Sequence, residues 1–369
     1  MQLVPAMEQG GVERGIVEMN REIVAAGHVN YVVCAGGRLC DTLTKDGANV
    51  ICCDIKSKNI LTFFHRAREL RKILEAVQPD AVVAHSRLPA WLFLRANRNL
   101  GIPWVSFAHG ANSVSPYSRV MTKGSLVVTP SQYIADYLKQ HYPAHVDPAR
   151  IRVIPRAIDR ERFDPARLDA AFVAAKREEW GLAGRYVVMG LGRITQLKGY
   201  DTLVAAASLL HGKIPSLKLV IVGEAEEKRR DVESALRSQV AALGMEEHVV
   251  FAGNQQKVAE CLSLADVVAS SNIKKPEAFG RSMAEALAMS KPVVATAFGG
   301  ALEIVQDGVN GFLVPEANAD AQGFADAIYK VSQTKFGDLR TPAIEKFSFE
   351  RMVAQSLAVY GELAEMRRR

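Results

Sequence analysis

Metal-type spacing is absent from the cysteines. The chain has five, Cys34, Cys40, Cys52, Cys53 and Cys261, and they do not recur at the paired intervals of a zinc site. No apolar run approaches the roughly 18 residues that cross a bilayer. No basic-then-apolar leader opens the chain. The expectation is a cytoplasmic protein whose thiols stay reduced, as core residues. Nor is there an RNP motif or a block of Lys and Arg, which argues against nucleic acid despite a net charge of +6 and a pI of 9.0. That excess points instead to anionic lipid or a phosphorylated ligand. Gly-x-Gly-x-x-Gly and Gly-Lys-Ser/Thr are both missing, against a dinucleotide fingerprint and a nucleotide P-loop. No internal repeat or low-complexity stretch stands out.

What is present suits a soluble two-domain protein. At 369 residues the chain exceeds one ordinary core. Its 49% hydrophobic and 23% charged residues are those of a globular protein. The charge is uneven: residues 1–150 hold 17 Lys and Arg against 12 Asp and Glu, almost the whole excess. Between Lys56 and Arg98 stand nine basic residues and three acids.

Short apolar strands alternate with amphipathic helices. Residues 29–34, 50–53, 81–84, 104–108 and 126–129 read as strands, with a brief first strand at 2–5. Val12, Ile16, Met19, Ile23 and Ala26 fall at helical spacing, and Gly27 ends that helix. Ile60, Phe63, Phe64, Ala67, Leu70, Leu74 and Val77 form a second stripe, most simply a core face. His65, Arg68 and Lys72 oppose it, a pattern that also suits an anionic membrane surface. Residues 154–165, with a proline near each end, read as a linker. The alternation then restarts, with strands at 186–191, 217–222, 248–251, 267–269, 293–295 and 312–314. This is an α/β chain of two doubly wound domains. Their natural ligand site is the cleft beyond the carboxyl ends of the strands.

Chemistry concentrates in three stretches. Gly10-Gly11 opens the first helix, where backbone N–H groups favour an anion; a plain tight turn explains it equally well. Gly190-Leu-Gly-Arg193-Ile-Thr-Gln-Leu-Lys198-Gly199 follows a buried strand and precedes a helix. Its two cations, five apart, suit a diphosphate, against the plainer reading of two solvated loop side chains. Glu277-Ala-Phe279-Gly280-Arg-Ser-Met-Ala-Glu285 sets one carboxylate in a loop and a second about one and a half turns into a helix. Carboxylates accept two hydroxyl hydrogens at once, so the pair suits a sugar or a ribose. The alternative for Glu285 is a partly exposed helix residue. No Asp-x-Asp or histidine neighbour completes a metal site.

With these residues on the page, the sequence resembles the retaining GT-B glycosyltransferases of family 4, the glycosyl transferases group 1, over nearly its whole length. The E-x7-E element from Glu277 to Glu285 carries the likeness. Lys291-Pro-Val-Val-Ala-Thr, Phe298-Gly-Gly-Ala-Leu-Glu-Ile-Val and the run from Asp307 to Pro315 support it. So do Gly-Gly-Val-Glu-Arg near the start, the Gly-Arg-x4-Lys-Gly loop and Val-Ile-Pro-x-x-Ile-Asp in the linker. Two departures stand out. Arg156-Ala157 replaces the usual Asn-Gly, adding a cation. Gly223-Glu224-Ala225 lacks the common second glycine, which leaves the nucleobase open.

The resemblance implies a GT-B fold of two Rossmann-like domains facing across a cleft. The first is the acceptor side (1–155), the second binds the nucleotide sugar (156–349), and a C-terminal helix near 350–369 packs back on the first. Arg193 and Lys198 would hold the donor diphosphate, with amides of Phe279, Gly280, Gly10 and Gly11. Glu277 would bind the transferred sugar, Glu285 the ribose, and His109, at a strand end, would lie near the sugar. The implied reaction is metal-independent transfer from a UDP- or GDP-sugar, with retention and no cofactor beyond that donor. The implied acceptor is a cell-envelope glycan or glycolipid, of lipopolysaccharide-core type, reached at the inner face of the cytoplasmic membrane. A GT-B epimerase or phosphorylase, or a non-catalytic scaffold, is the alternative. The intact glycine, Arg/Lys and Glu/Glu sets argue against the scaffold.

Overall fold

The computed structural model describes residues 1–8 and 11–368. Gln9, Gly10 and Arg369 lie outside the described residues. The chain divides into two compact units, Met1–Pro155 together with Glu350–Arg369, and Arg156–Phe349.

The first unit holds seven parallel strands: β1 (Gln2–Leu3), β2 (Tyr31–Cys34), β3 (Asn49–Cys52), β4 (Val82–Ala84), β5 (Trp104–Phe107), β6 (Leu126–Thr129) and β7 (Ile151–Val153). Their order is β3-β2-β1-β4-β5-β6-β7. β4 to β6 are buried along most of their length, as befits a parallel sheet covered on both faces. β7, which the pattern of apolar residues does not announce, is three half-buried residues centred on Arg152. Arg152 donates from Nη2 to both oxygens of Glu362, at 2.9 and 3.1 Å. Glu362 lies on the last helix, Phe349–Arg368, and Arg367 of that helix donates to the Leu100 carbonyl at 2.6 Å.

The helix Phe63–Val77 corrects the reading of its apolar stripe. Ala67, Leu70 and Leu74 are buried, but Ile60 and Phe64 are 84% and 66% exposed, and Leu61 is 91% exposed. The helix starts only at Phe63, so the stripe's first member precedes it. Periodicity continued across that boundary and counted a surface group as core. Arg66 is the buried cation here, its guanidinium donating to the carbonyls of Ser57 and Asn59 and to Thr62 Oγ1. The thiols need a similar correction. All five cysteines are unpaired, but only Cys34, Cys53 and Cys261 are buried; Cys52, at the end of β3, is exposed.

The second unit has six parallel strands: β8 (Tyr186–Leu191), β9 (Leu217–Val222), β10 (Val249–Gly253), β11 (Val267–Ser270), β12 (Val293–Thr296) and β13 (Gly311–Val314), in the order β10-β9-β8-β11-β12-β13. Two cores flank the sheet. Val187 and Met189 enter one, with Met283 and Leu287; Val188 enters the other, with Leu203 and Phe324. The two-residue alternation of a strand sends neighbours to opposite faces. In both units the strand order reverses beside the first strand, between β1 and β4 and between β8 and β11. Such switch points open a crevice at the carboxyl ends of the strands.

Candidate active site

In the second unit, the switch point gathers three loops. The first leaves β8 as Gly190–Gly199. Gly199 has φ +62°, and a Cβ there would come within 2.0 Å of the Ser271 carbonyl, so glycine is required. Ser271, one residue past β11, donates its hydroxyl to the carbonyls of Lys198 and Gly199, both at 2.8 Å. Tyr200 is buried beneath the loop and donates to the Gly192 carbonyl at 2.9 Å. Burial, and secondarily the Glu277 charge, push that hydroxyl far above its ordinary range. It stays a neutral donor. The sequence signals for Ser271 and Tyr200 are weak: neither carries the charge that drew attention to their neighbours.

The second loop carries Glu277. It pairs with Lys198, Nζ to Oε1, with side chains 23% and 25% exposed. The two sequence-predicted groups thus meet across 79 residues. Glu277 also bridges to the third loop, which leaves β12: its carbonyl accepts from the Gly300 amide at 2.9 Å, and Glu277 pairs with Gly299. Phe298-Gly-Gly-Ala301 is therefore seated against Glu277.

Arg193 is placed apart from that pair. It is 72% exposed and pairs with Glu226, which the sequence reading did not single out. The loop holding Glu226 is pinned to the glycine loop, with Ile194 N–H donating to the Glu224 carbonyl at 3.0 Å. Helix Arg281–Ala288 begins after Gly280, which has φ +99°. Phe279 is buried, its ring edge-on to Phe347 at 5.2 Å; any ligand contact from it is through backbone. Glu285 is 13% exposed and lies 3.3 Å from Arg281, one turn before it.

In the first unit, Gly11 begins helix Gly11–Ala25; its neighbour Gly10 lies outside the described residues. His109 follows β5. Its ring stacks on Phe107 at 4.4 Å between centroids, and its Nε2 lies 3.1 Å from Nδ1 of His85, which follows β4. His85 was not among the residues picked from the sequence. At the same end of this sheet a cavity of about 780 Å³ is lined by Ile60, Phe63, Trp91 and Tyr117 and by cations including Arg87 and Arg119. Arg119 keeps a buried Nε–H with no hydrogen-bond partner. Among the described residues no three His, Cys, Asp or Glu side chains cluster as metal ligands. No helix among them is long and apolar enough to cross a membrane.

Comparison with known proteins bears on this arrangement. Residues 173–346 match the family model described as glycosyl transferases group 1, and residues 9–162 match glycosyltransferase family 4. A D-inositol 3-phosphate glycosyltransferase of Stackebrandtia nassauensis is 30% identical over 331 residues, covering 79% of this chain and 71% of that one. Against two other relatives of that name the match covers only 47% and 56% of their length. Among solved structures, a glycosyltransferase from Rickettsia africae is 27% identical with a TM-score of 0.87, covering 98% of this chain and 97% of that one. Anabaena HepE in complex with UDP-glucose has the same fold, at 22% identity and a TM-score of 0.80, over 97% and 98% of the two chains. The neighbours have the GT-B fold, and the chain belongs to the glycosyl transferases group 1, within glycosyltransferase family 4.

Proposed function

We propose that this glycosyltransferase moves a sugar from a nucleotide sugar to an anionic acceptor, with retention and without a metal ion. The observation that carries the donor side is the Lys198–Glu277 pair at the switch point of the second unit. A cation and a carboxylate held in contact offer one group for a phosphate and one for sugar hydroxyls. HepE, which shares the fold, is a UDP-glucose binder; the donor here is of the UDP- or GDP-sugar class. Arg193 and the amide at Gly280 would serve the diphosphate, and Glu285 the ribose. No residue at the site acts as a covalent nucleophile in this reading. The leaving phosphate takes the acceptor's proton, and the protein contributes orientation and stabilisation of the departing charge.

For the acceptor, the cavity in the first unit combines aromatic walls with Arg87 and Arg119, and relatives are named for inositol 3-phosphate. A phosphorylated polyol or glycolipid fits both, a class that includes lipopolysaccharide core. Ile60, Leu61 and Phe64, exposed beside Lys56, Lys58 and Arg68, would hold such an enzyme at an anionic membrane surface.

Thermal shift against a panel of nucleotide sugars tests the donor class. A ligand at 100 times its Kd stabilises by about 2.7 kcal/mol. A panel without any shift would overturn the reading, and so would an epimerised or phosphorolysed product. Full loss of activity in EDTA, restored by Mg²⁺, would overturn metal independence alone.

A further inference from the structure

A file of side chains runs through the first unit from His109 to a single backbone carbonyl. His109 Nε2 lies 3.1 Å from His85 Nδ1, and His85 Nε2 lies 3.0 Å from Gln2 Oε1. Gln2 Nε2 reaches Asn30 Oδ1 at 3.4 Å, Asn30 Nδ2 reaches Asn20 Oδ1 at 2.8 Å, and Asn20 Nδ2 reaches the Asp46 carbonyl at 3.0 Å. Gln2, Asn30 and Asn20 are buried, at 2%, 2% and 0% exposure. Their polar atoms must therefore find their partners within the protein.

The carbonyl fixes the direction of the whole file. It can only accept, so Asn20 must present its NH₂ there and its oxygen to Asn30. Asn30 must then donate to Asn20 and turn its oxygen to Gln2. Gln2 in turn donates, and its own oxygen faces His85. That oxygen requires a hydrogen on His85 Nε2. In a neutral imidazole the other nitrogen is then an acceptor, so His85 Nδ1 requires the hydrogen of His109 Nε2. The ring geometry agrees. The two imidazoles are tilted by only 5° with centroids 5.3 Å apart. With nitrogens 3.1 Å apart, this is the arrangement of rings lying end to end in one plane, along which a ring N–H points.

We propose that His85 is a positioning residue that fixes His109 as its Nε2–H tautomer, with Nδ1 as the accepting nitrogen. This rests on the reading of His109 as a residue near the donor sugar. A wrong tautomer in a hydrogen-bonded histidine can abolish most of a site's activity while leaving its shape intact. The constraint that sets it is the Asp46 carbonyl, which accepts at the far end of the file, four side chains away.

The test is nitrogen NMR of the full-length protein with ¹⁵N-labelled histidine, which reports tautomers without any turnover, so its failure is distinct from failure of the glycosyltransferase reading. Wild-type His109 should appear as one tautomer, protonated at Nε2. His85→Ala should give a mixture, with a roughly tenfold to hundredfold loss of kcat and little change in the donor KM. Gln2→Glu should invert the tautomer. Its carboxylate favours a charged His85, whose Nδ1–H then donates, so that His109 Nε2 must accept. If Gln2→Glu does not fold, the other two proteins still decide. A wild-type His109 protonated at Nδ1, or mixed, would overturn the proposal. So would a folded His85→Ala protein with an unchanged His109 tautomer or undiminished kcat.

Discussion

The two sheets wind alike about their first strand, β3-β2-β1-β4-β5 against β10-β9-β8-β11-β12, yet their carboxyl ends carry different chemistry. The second unit displays opposite charges in contact: Lys198 with Glu277, Arg193 with Glu226, Arg281 with Glu285. The first lines up an imidazole and amides behind His109 and surrounds a cavity with aromatic rings and arginines. Each of these cations already has a carboxylate beside it. At the proposed donor site an incoming diphosphate would exchange with carboxylates rather than fill an empty positive bowl, so binding there would be a competition between anions. The same topology thus supports two electrostatic designs, and the difference lies in the side chains that the loops and element ends carry.

The sharpest way to break that contrast is at Glu277. Glu277→Ala removes the carboxylate proposed to orient the sugar and frees Lys198. Turnover should fall by about 10²-fold or more, while affinity for a free nucleoside diphosphate holds or rises. Calorimetry beside steady-state rates checks both, and a weaker diphosphate affinity would refute the competition. Next in size, Arg193→Ala should weaken diphosphate binding by about 1.5 to 3 kcal/mol, the value of a charged hydrogen bond. Because Arg193 is largely exposed, the low end is expected, and unchanged affinity in the folded variant removes Arg193 from the site. On the first unit, reversing Arg68 and Lys72 should cost about 1 kcal/mol per charge in binding to anionic vesicles, with donor affinity intact. Vesicle binding that is indifferent to salt would count against it. Glu285→Ala should cost about 1 kcal/mol for nucleoside diphosphate and nucleotide sugar alike, since both carry the ribose. A loss confined to the sugar nucleotide would assign Glu285 elsewhere. Smallest is Tyr200→Phe, which frees one loop carbonyl. About 1 kcal/mol of stability should be lost, read by chemical denaturation, with no new pH dependence, because that hydroxyl is already driven far above its ordinary range.

The second unit was nearly transparent from sequence because its central strands are largely buried and read as mostly apolar runs. Residues 186–191 and 217–222 match β8 and β9 residue for residue. The first unit was less so. β7 is three residues around an arginine whose partner lies 210 positions away. Ile60 and Phe64 misled because helical spacing says which residues share a face, not whether anything covers it. Charged motifs such as Glu277 to Glu285 announce themselves within one window. The His85–Gln2–Asn30–Asn20 file has no such signature. Its members are uncharged or singly placed, they come from β1, the residue before β2, the residue after β4 and an early helix, and only the parallel register of β1 with its two neighbours aligns them.

The last helix has a consequence for synthesis. The second unit is one continuous stretch, while the first is closed by Phe349–Arg368. A chain emerging from the ribosome can complete the second unit before the first has its final helix, although the first began earlier. Until then Arg152 lacks Glu362, and Val353, Val359 and Leu363, buried in the folded chain, are not yet in place. The order of completion is thus the reverse of the order of synthesis.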